Sequence, residues 1–426
     1  MKTLLKNGYV LSLKNDTSVV KKDVLVNGNI IEKISDNIEE NEADKVVDCT
    51  NILLMPGFKN AHAHAPMVFA RSNTDGCELN DWLTKCIFPL EEKITADDIY
   101  HLSKLAILEY LSGGITGSQE MYFLPNSVAD AFREMKFRCT LCGAKGGNDT
   151  SVSDVREAYY EINCEDDDLV KYKVCTHAEY TLCEQKAREL PLLLKETGSI
   201  FYSHSSESKA EVEGCKERHN GLTPIEFYEK SGFFVNKTAL AHCIHLTDHD
   251  IEILKKHDVM VATCPGSNSK LDSGVCDVRK LLDNGITVGL GTDGAGSNNS
   301  LDMFKEMTLL YAFANIKNNS AKALSPYEVL KIATVNGAKI MDLENVDYIE
   351  EGKIADITGL NLKAPNMLPI TNIAANIVYS GNKDNVYLTM VNGEILYIDK
   401  KFPLYDVEEI YENAQRITDK LNNYLK

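Results

Sequence analysis

Four short stretches of this 426-residue chain carry the side chains that a divalent cation needs. They are Asn60-Ala61-His62-Ala63-His64, Ser203-His204-Ser205-Ser206-Glu207, Ala241-His242-Cys243-Ile244-His245 and Gly291-Thr292-Asp293-Gly294. In extended chain, residues two apart face the same side, so His62 and His64 can turn both imidazoles toward one ion. One such pair carries little weight, because alternating histidines often just line a polar strand face. The weight comes from coincidence, since each stretch follows an apolar, strand-like run. Neutral imidazoles with a carboxylate suit Zn²⁺ or Fe²⁺, and zinc is the first expectation. An ion held there brings the pKa of its water down towards ~7 and supplies hydroxide at neutral pH.

Such side chains need a scaffold that brings strand ends together. The middle of the chain alternates apolar runs with helical segments. Strands are expected at Ile52 to Phe58, Ile115 to Gln119, Phe137 to Cys142, Tyr172 to Cys175, Ile200 to Ser203, Thr238 to Ala241, Val259 to Thr263 and Ile286 to Leu290. The metal-type residues then fall after the first, fifth, sixth and eighth. Between the first two strands, Thr95 is a predicted N-cap with Asp98 three residues on, and Gly113-Gly114 stops the helix. Eight βα units in roughly 240 residues fit an α/β fold of the (β/α)₈ TIM-barrel type, with active residues at the C-terminal strand ends. A doubly wound open sheet is the rival.

The two chain ends read as short strands. Val26-Asn27-Gly28 and Val391-Asn392-Gly393 both carry the Asn-Gly pair that suits a tight type I′ hairpin. The economical division is a small β-sandwich made of residues 1–55 plus 345–400, with the barrel at 56–344 inserted through it. Val407, Ile410, Tyr411, Ala414, Ile417 and Leu421 have helical spacing, so 401–426 is expected to be a helix packing back on the body.

A net charge of −18 works against a nucleic-acid polymer or an anionic membrane and leaves a small-molecule substrate. No apolar run approaches the ~20 residues of a bilayer span. The apolar opening stretch ends at Lys6-Asn7-Gly8 without a cleavage site, so the cytoplasm is the expected compartment. A homo-oligomer is compatible with all of this. Cys139 and Cys142 read as buried strand thiols, with no second such pair to make a zinc site.

On these residues the chain resembles the amidohydrolase superfamily. Pro56-Gly57-Phe58-x-x-Ala61-His62-x-His64 looks like its first-strand signature, and Glu351-Gly352-Lys353-Ile354-Ala355-Asp356 like its return to the sandwich. Within the superfamily it is most similar to the methylthioadenosine/S-adenosylhomocysteine deaminases and their chlorohydrolase relatives. The matching stretches are His62-Ala63-His64-Ala65-Pro66-Met67, Asp81-Trp82-Leu83, Ala241-His242-Cys243-Ile244-His245-Leu246 and Gly291-Thr292-Asp293-Gly294-Ala295-x-Ser297-Asn298-Asn299.

The resemblance implies one metal ion held by His62, His64, His204 and Asp293. Two-metal relatives bridge their ions with a lysine at the end of strand four, where this chain has Cys175-Thr176-His177; Lys171 and Lys173 lie too early. It further implies catalytic roles for three residues. Glu207 would protonate a ring nitrogen, Asp293 would accept a proton from the water as well as touching the metal, and His242 would orient or polarise the hydroxide, with contact to the ion as its second reading. Substrate contacts are expected from Glu91 (ribose hydroxyls), His177, Trp82 and Ser297. For Glu91, Trp82 and His177 the readings of a helix-start acid, a core residue and a structural strand-end histidine stay open. His101, His219, His249 and His257 are expected at the surface, and Glu211 and Glu213 as solvated helix-start acids.

The implied activity is hydrolytic deamination of an aminated purine, a nucleoside such as adenosine or methylthioadenosine, or a related heterocycle. Cleavage of a carbon–halogen bond or a cyclic amide at the same site is the alternative, and a non-catalytic scaffold the remote one. Cys142-Gly143-Ala144-Lys145-Gly146-Gly147 departs from the pattern, with glycine where the relatives carry a carboxylate-gripping arginine. Lys145 and Arg156 are the available substitutes, and arginine and lysine are not equivalent for this task. Gly146-Gly147-Asn148-Asp149 is a candidate lid.

Overall fold

The computed structural model describes residues 1–73, 75–143, 151–164 and 167–424. The strands at the chain ends are β1 Lys2–Leu11, β2 Val19–Asn27, β3 Ile30–Ser35, β4 Lys45–Asp48 and β5 Ile52–Pro56. The parallel strands are β6 Phe58–Ala63, β7 Ile115–Met121, β8 Arg138–Cys142, β9 Val170–Tyr172, β10 Val174–Cys175, β11 Phe201–Ser205, β12 Thr238–His242, β13 Met260–Thr263 and β14 Val288–Leu290. The chain returns through β15 Ile357–Asn361, β16 Val386–Val391 and β17 Glu394–Ile398.

Both chain ends build one sheet in the order β17-β16-β15-β5-β1-β2-β3, with β4 beside β1. Its β5–β15 pairing is antiparallel and joins the N-terminal strands to the C-terminal ones. The expected first barrel strand is thereby corrected. Ile52–Pro56 belongs to this end sheet, and the parallel array starts only at Phe58. Gly57 makes the crossing. A side chain there would lie 2.1 Å from Thr116 Cγ2, so only glycine lets the chain pass so close to β7.

The parallel strands pair in two runs, β6-β7-β8-β9 and β10-β11-β12-β13-β14. The runs meet at Lys173, the single residue between β9 and β10, so the expected Tyr172-to-Cys175 strand is broken there. At the far ends, Ala63 and Asp293 form a parallel bridge, and the Asp293 N–H reaches the His62 carbonyl at 2.9 Å. Small and medium side chains such as Ala61, Ala239, Ala241 and Ala262 pack with Tyr202 and Met121 in a common inner cluster. The Asp356 carboxylate, just before β15, ties the parallel array to the end sheet. It accepts Arg138 Nε at 2.8 Å and Arg138 Nη2 at 3.1 Å, with Lys59 Nζ at 3.4 Å.

Thr95 caps helix Ala96–Ser112 through Asp98, as the spacing predicts. Helix Val407–Asn422 lies on that helix, burying Ile410, Ala414, Ile417 and Leu421. Tyr411, expected on the packed face, is 46% exposed. The second Asn-Gly hairpin has both turn residues at positive φ, Asn392 at 51° and Gly393 at 79°. In the first, Asn27 pairs with Ile30, so the turn moves one residue along to Gly28-Asn29. Among the described residues no helix is long and apolar enough to cross a membrane.

Candidate metal centre

The parallel strand ends converge on one point. His62 stands near the end of β6 and His64 just beyond it, His204 is in β11, and Asp293 follows β14. His204 Nε2 lies 3.1 Å from His62 Nε2 and 3.4 Å from His64 Nε2. Asp293 Oδ1 lies 3.1 Å from His64 Nε2 and 3.5 Å from His62 Nε2. In a tetrahedral zinc site with Zn–N near 2.0–2.1 Å neighbouring ligand atoms lie about 3.3 Å apart, close to these four separations. The potential ligand atoms gather in two groups that share His62: His62, His64 and His204, and His62, His242 and Asp293. Glycine at 291 permits the approach, because a Cβ there would sit 2.8 Å from the His62 backbone.

The far nitrogen of each ring shows which nitrogen is left for a metal. His64 Nδ1–H donates to the Met121 carbonyl at 2.6 Å and His204 Nδ1–H to the His177 carbonyl at 2.7 Å. Carbonyls can only accept, so both rings carry hydrogen on Nδ1. Tyr202 fixes His62. Its hydroxyl hydrogen goes to the Ala61 carbonyl at 2.7 Å, so the oxygen accepts His62 Nδ1–H at 3.2 Å. In the neutral form of each of the three rings Nε2 holds the lone pair and points into the cluster, while the far nitrogen donates to an oxygen that fixes the ring, as in metal-binding imidazoles. Burial lowers the pKa of His62 to about 4 and puts that of His204 well below its usual value, so both are neutral. Burial raises the pKa of Asp293, but the His62 and His64 rings beside it outweigh burial and hold its carboxyl well below the usual carboxylate range.

The backbone around the cluster is strained. Asp293 sits at φ 60°, His242 at 71°, Cys243 at 47° and Ser206 at 54°, left-handed values that non-glycine residues adopt at a cost of about 1–3 kcal/mol. His242 lies beside the cluster, its ring 5.3 Å from that of His62, with Nδ1 at 2.8 Å from Asn268 Oδ1. Glu207 faces it at 3.7 Å and accepts Ser273 Oγ–H at 3.2 Å. Burial pushes the Glu207 pKa up against the pull of His242. A cleft of about 580 Å³, its open mouth included, lies over these groups, walled by Trp82, Phe88, Tyr122 and Tyr180.

The amidohydrolase family profile matches residues 53–396. The chain belongs to the amidohydrolase family. One relative of this amidohydrolase is the 5-methylthioadenosine/S-adenosylhomocysteine deaminase of Caldanaerobacter subterraneus subsp. tengcongensis, 35% identical over 424 residues and covering 98% of each chain. Another is the 5′-deoxyadenosine deaminase of Methanosarcina acetivorans, 33% identical over 425 residues, again 98% of each. Among solved structures, an adenosine deaminase from Xanthomonas campestris with bound zinc superposes at a TM-score of 0.93. It is 26% identical and covers 99% of this chain and 98% of its own.

Of the residues expected at the amidohydrolase site, His62, His64, His204, Asp293, His242 and Glu207 come together as described. Glu91, His177 and Trp82 also line the cleft or the cluster. Glu91 is buried beside Tyr122 and is not a solvated helix-start acid. Ser297 is corrected. Its hydroxyl bonds back to the Gly294 carbonyl at 3.1 Å inside helix Ala295–Asn298, and it is not part of the cleft wall. Arg156 is corrected too, since it pairs with Glu196 on the outer surface. Lys145 and the Gly146-to-Asp149 stretch lie outside the described residues. Among the described residues no lysine or arginine lines the cleft.

Glu211, expected as a solvated acid, is buried and accepts the N–H groups of Ser206 and Glu207. His219, expected at the surface, stacks on Phe227 and bonds Glu179 at 2.6 Å. Sequence reasoning missed Tyr202, Asn268 and Ser267, whose hydroxyl donates to Asp293 Oδ2 at 2.5 Å. Asn268 and Ser267 follow β13, a strand end with neither a histidine nor a carboxylate at the cluster. A search for polar residues at every strand end finds them.

Proposed function

We propose that this amidohydrolase is a metal-dependent hydrolytic deaminase acting on an aminated purine nucleoside of the adenosine or methylthioadenosine kind. The observation that carries the reading is the buried Glu207 carboxyl, set beside the imidazole–carboxylate cluster in the same cleft, with burial favouring its protonated form. Three deaminases of adenine nucleosides among its relatives and neighbours support it. The accompanying fold reading is a closed (β/α)₈ barrel at 56–344, a β-sandwich domain of 1–55 with 345–400, and a C-terminal helix in 401–426.

In this reading His62, His64, His204 and Asp293 hold a single divalent ion, zinc by the chemistry of the donor set. Lys173, the nearest lysine of strand four, is turned away and spends its ammonium on Gln119 Oε1 and the Ile340 carbonyl. When bound, such an ion would lower the pKa of a water towards about 7 and so make a hydroxide nucleophile available at neutral pH. The Asp293 carboxylate takes the proton released as water attacks. Glu207 gives its proton to the adjacent ring nitrogen, which lets the carbon accept the new bond. His242, oriented by Asn268, directs the attacking oxygen; Asp293 passes its proton to the exocyclic amine, which leaves as ammonia, and the remaining hydroxyl proton returns to Glu207 as the ring carbonyl forms. Trp82 and Phe88 shield the ring from water, and Glu91 meets the ribose hydroxyls.

Glu207→Gln keeps the shape of the side chain and removes its proton-donating acid. It is expected to retain metal and lose deamination by about 10² or more. Ammonia release from a panel of purines, nucleosides and chlorinated triazines reads both the activity and its rival. Undiminished ammonia release by Glu207→Gln removes this residue from the mechanism.

A further inference from the structure

Three buried carboxylates outside the metal cluster share one arrangement, each accepting one or two backbone N–H groups from a turn that follows a parallel strand. Glu120 Oε2 takes the Ala65 N–H at 2.7 Å, just after His64. Glu306 Oε2 takes the Gly266 N–H at 2.8 Å, next to Ser267. Glu211, in helix Lys209–Arg218, takes two: Ser206 N–H on Oε1 at 2.8 Å and Glu207 N–H on Oε2 at 2.7 Å.

The turn that Glu211 holds differs from the other two in what it carries. Ser206 is left-handed at φ 54°, and a left-handed residue turns successive N–H groups to the same side, forming a small concavity that suits an anion. Glu211 fills that concavity. On the opposite side, the Ser206 carbonyl accepts the N–H groups of Ile244 and His245, both at 2.9 Å, which locks the same turn to the one after His242. The backbone of Ser206 and Glu207 is therefore gripped from two directions. The Glu207 side chain leaves it toward the cleft.

We propose that Glu211 is the positioning residue for Glu207, fixing through the Ser206 and Glu207 N–H groups where the Glu207 carboxyl stands beside the metal cluster. This rests on the reading of Glu207 as the proton carrier. Glu211 itself touches neither the cleft nor the ligands. Deleting one acceptor tilts the Glu207 carboxyl without removing it.

The test is a double-variant cycle on the metal-loaded enzyme with methylthioadenosine. In Glu211→Gln the amide offers one acceptor and turns its NH₂ toward a second donor. We expect kcat to fall about 10–100-fold with metal content unchanged and KM little moved. Placed in the Glu207→Gln background, Glu211→Gln should cause no further fall, because the group it positions is already gone. Glu120→Gln should show the opposite split, losing metal first.

The outcomes separate. Full activity in Glu207→Gln defeats the underlying reading. A crippled Glu207→Gln beside a Glu211→Gln of unchanged kcat overturns the positioning role, as does a Glu211→Gln loss that multiplies in the double variant. Where Glu211→Gln does not fold, Glu211→Asp keeps the charge but reaches only one N–H. A selective fall in its kcat supports the proposal, and an unchanged kcat assigns Glu211 to folding alone and overturns it.

Discussion

Tyr202→Phe deletes one oxygen atom from a fully buried position, and the consequence differs with and without metal. The lost hydroxyl donates to the Ala61 carbonyl and accepts His62 Nδ1–H. In the metal-free protein His62 can move its hydrogen to Nε2 and face Asp293 Oδ1, 3.5 Å away. Only the Ala61 carbonyl is then left short, a cost of about 1–3 kcal/mol. With metal bound, Nε2 must keep its lone pair, so Nδ1–H stays trapped without an acceptor. That second cost, again about 1–3 kcal/mol, falls on binding alone and corresponds to roughly a 10–100-fold loss of metal affinity. Competition with a zinc-indicator chelator measures the affinity, and thermal unfolding with and without zinc measures the two stabilities. A zinc affinity within a factor of about two of the parent refutes the tautomer assignment, since a tenfold change is only about 1.4 kcal/mol.

Two further outcomes follow from charges in and near the site. Among the described residues the cleft presents Glu91, Glu207 and Asp293 but no lysine or arginine, so methylthioadenosine and 5′-deoxyadenosine should be deaminated with higher kcat/KM than S-adenosylhomocysteine. Steady-state comparison of the three checks this, and a preference for S-adenosylhomocysteine contradicts it. Glu306 is buried and its pKa is pushed from 4.5 up to about 7. An acid whose folded pKa is raised binds more protons folded than unfolded between those values, so its contribution to stability declines as pH rises from about 4.5 to about 7, by about 3 kcal/mol in total. Glu306→Gln should lack this decline. Metal-free unfolding at pH 5 and pH 8 reads the difference, and parallel pH profiles for parent and variant refute it.

Much of the site was legible because its chemistry depends on residue type and strand position. His62 and His64 flank a single residue, and His204, His242 and Asp293 each close an apolar run. Helix Ala96–Ser112 could be placed because its Thr95–Asp98 cap and Gly113 stop are local signals. What sequence reasoning missed depends on tertiary contacts. Ile52–Pro56 is as apolar as any strand of the parallel array, and only its antiparallel pairing with β15 assigns it to the end sheet. Ser297 lies in a matching motif, yet the short helix after Asp293 turns its hydroxyl inward. Glu211 looks like an ordinary helix-start acid until the left-handed Ser206 turn supplies two N–H groups for it to accept. Tyr202 gives no sign in the sequence of its hold on His62, because the partners are 140 residues apart.

Metal analysis of the purified protein together with ammonia release, for the parent and for His204→Ala, tests the core assignment most directly. The parent should carry one transition-metal ion per chain and release ammonia from an adenine nucleoside, with stripping and re-addition of zinc abolishing and restoring turnover. His204→Ala should lose metal and activity together. A parent that takes up no metal yet deaminates, or a His204→Ala protein that keeps both, contradicts the assignment.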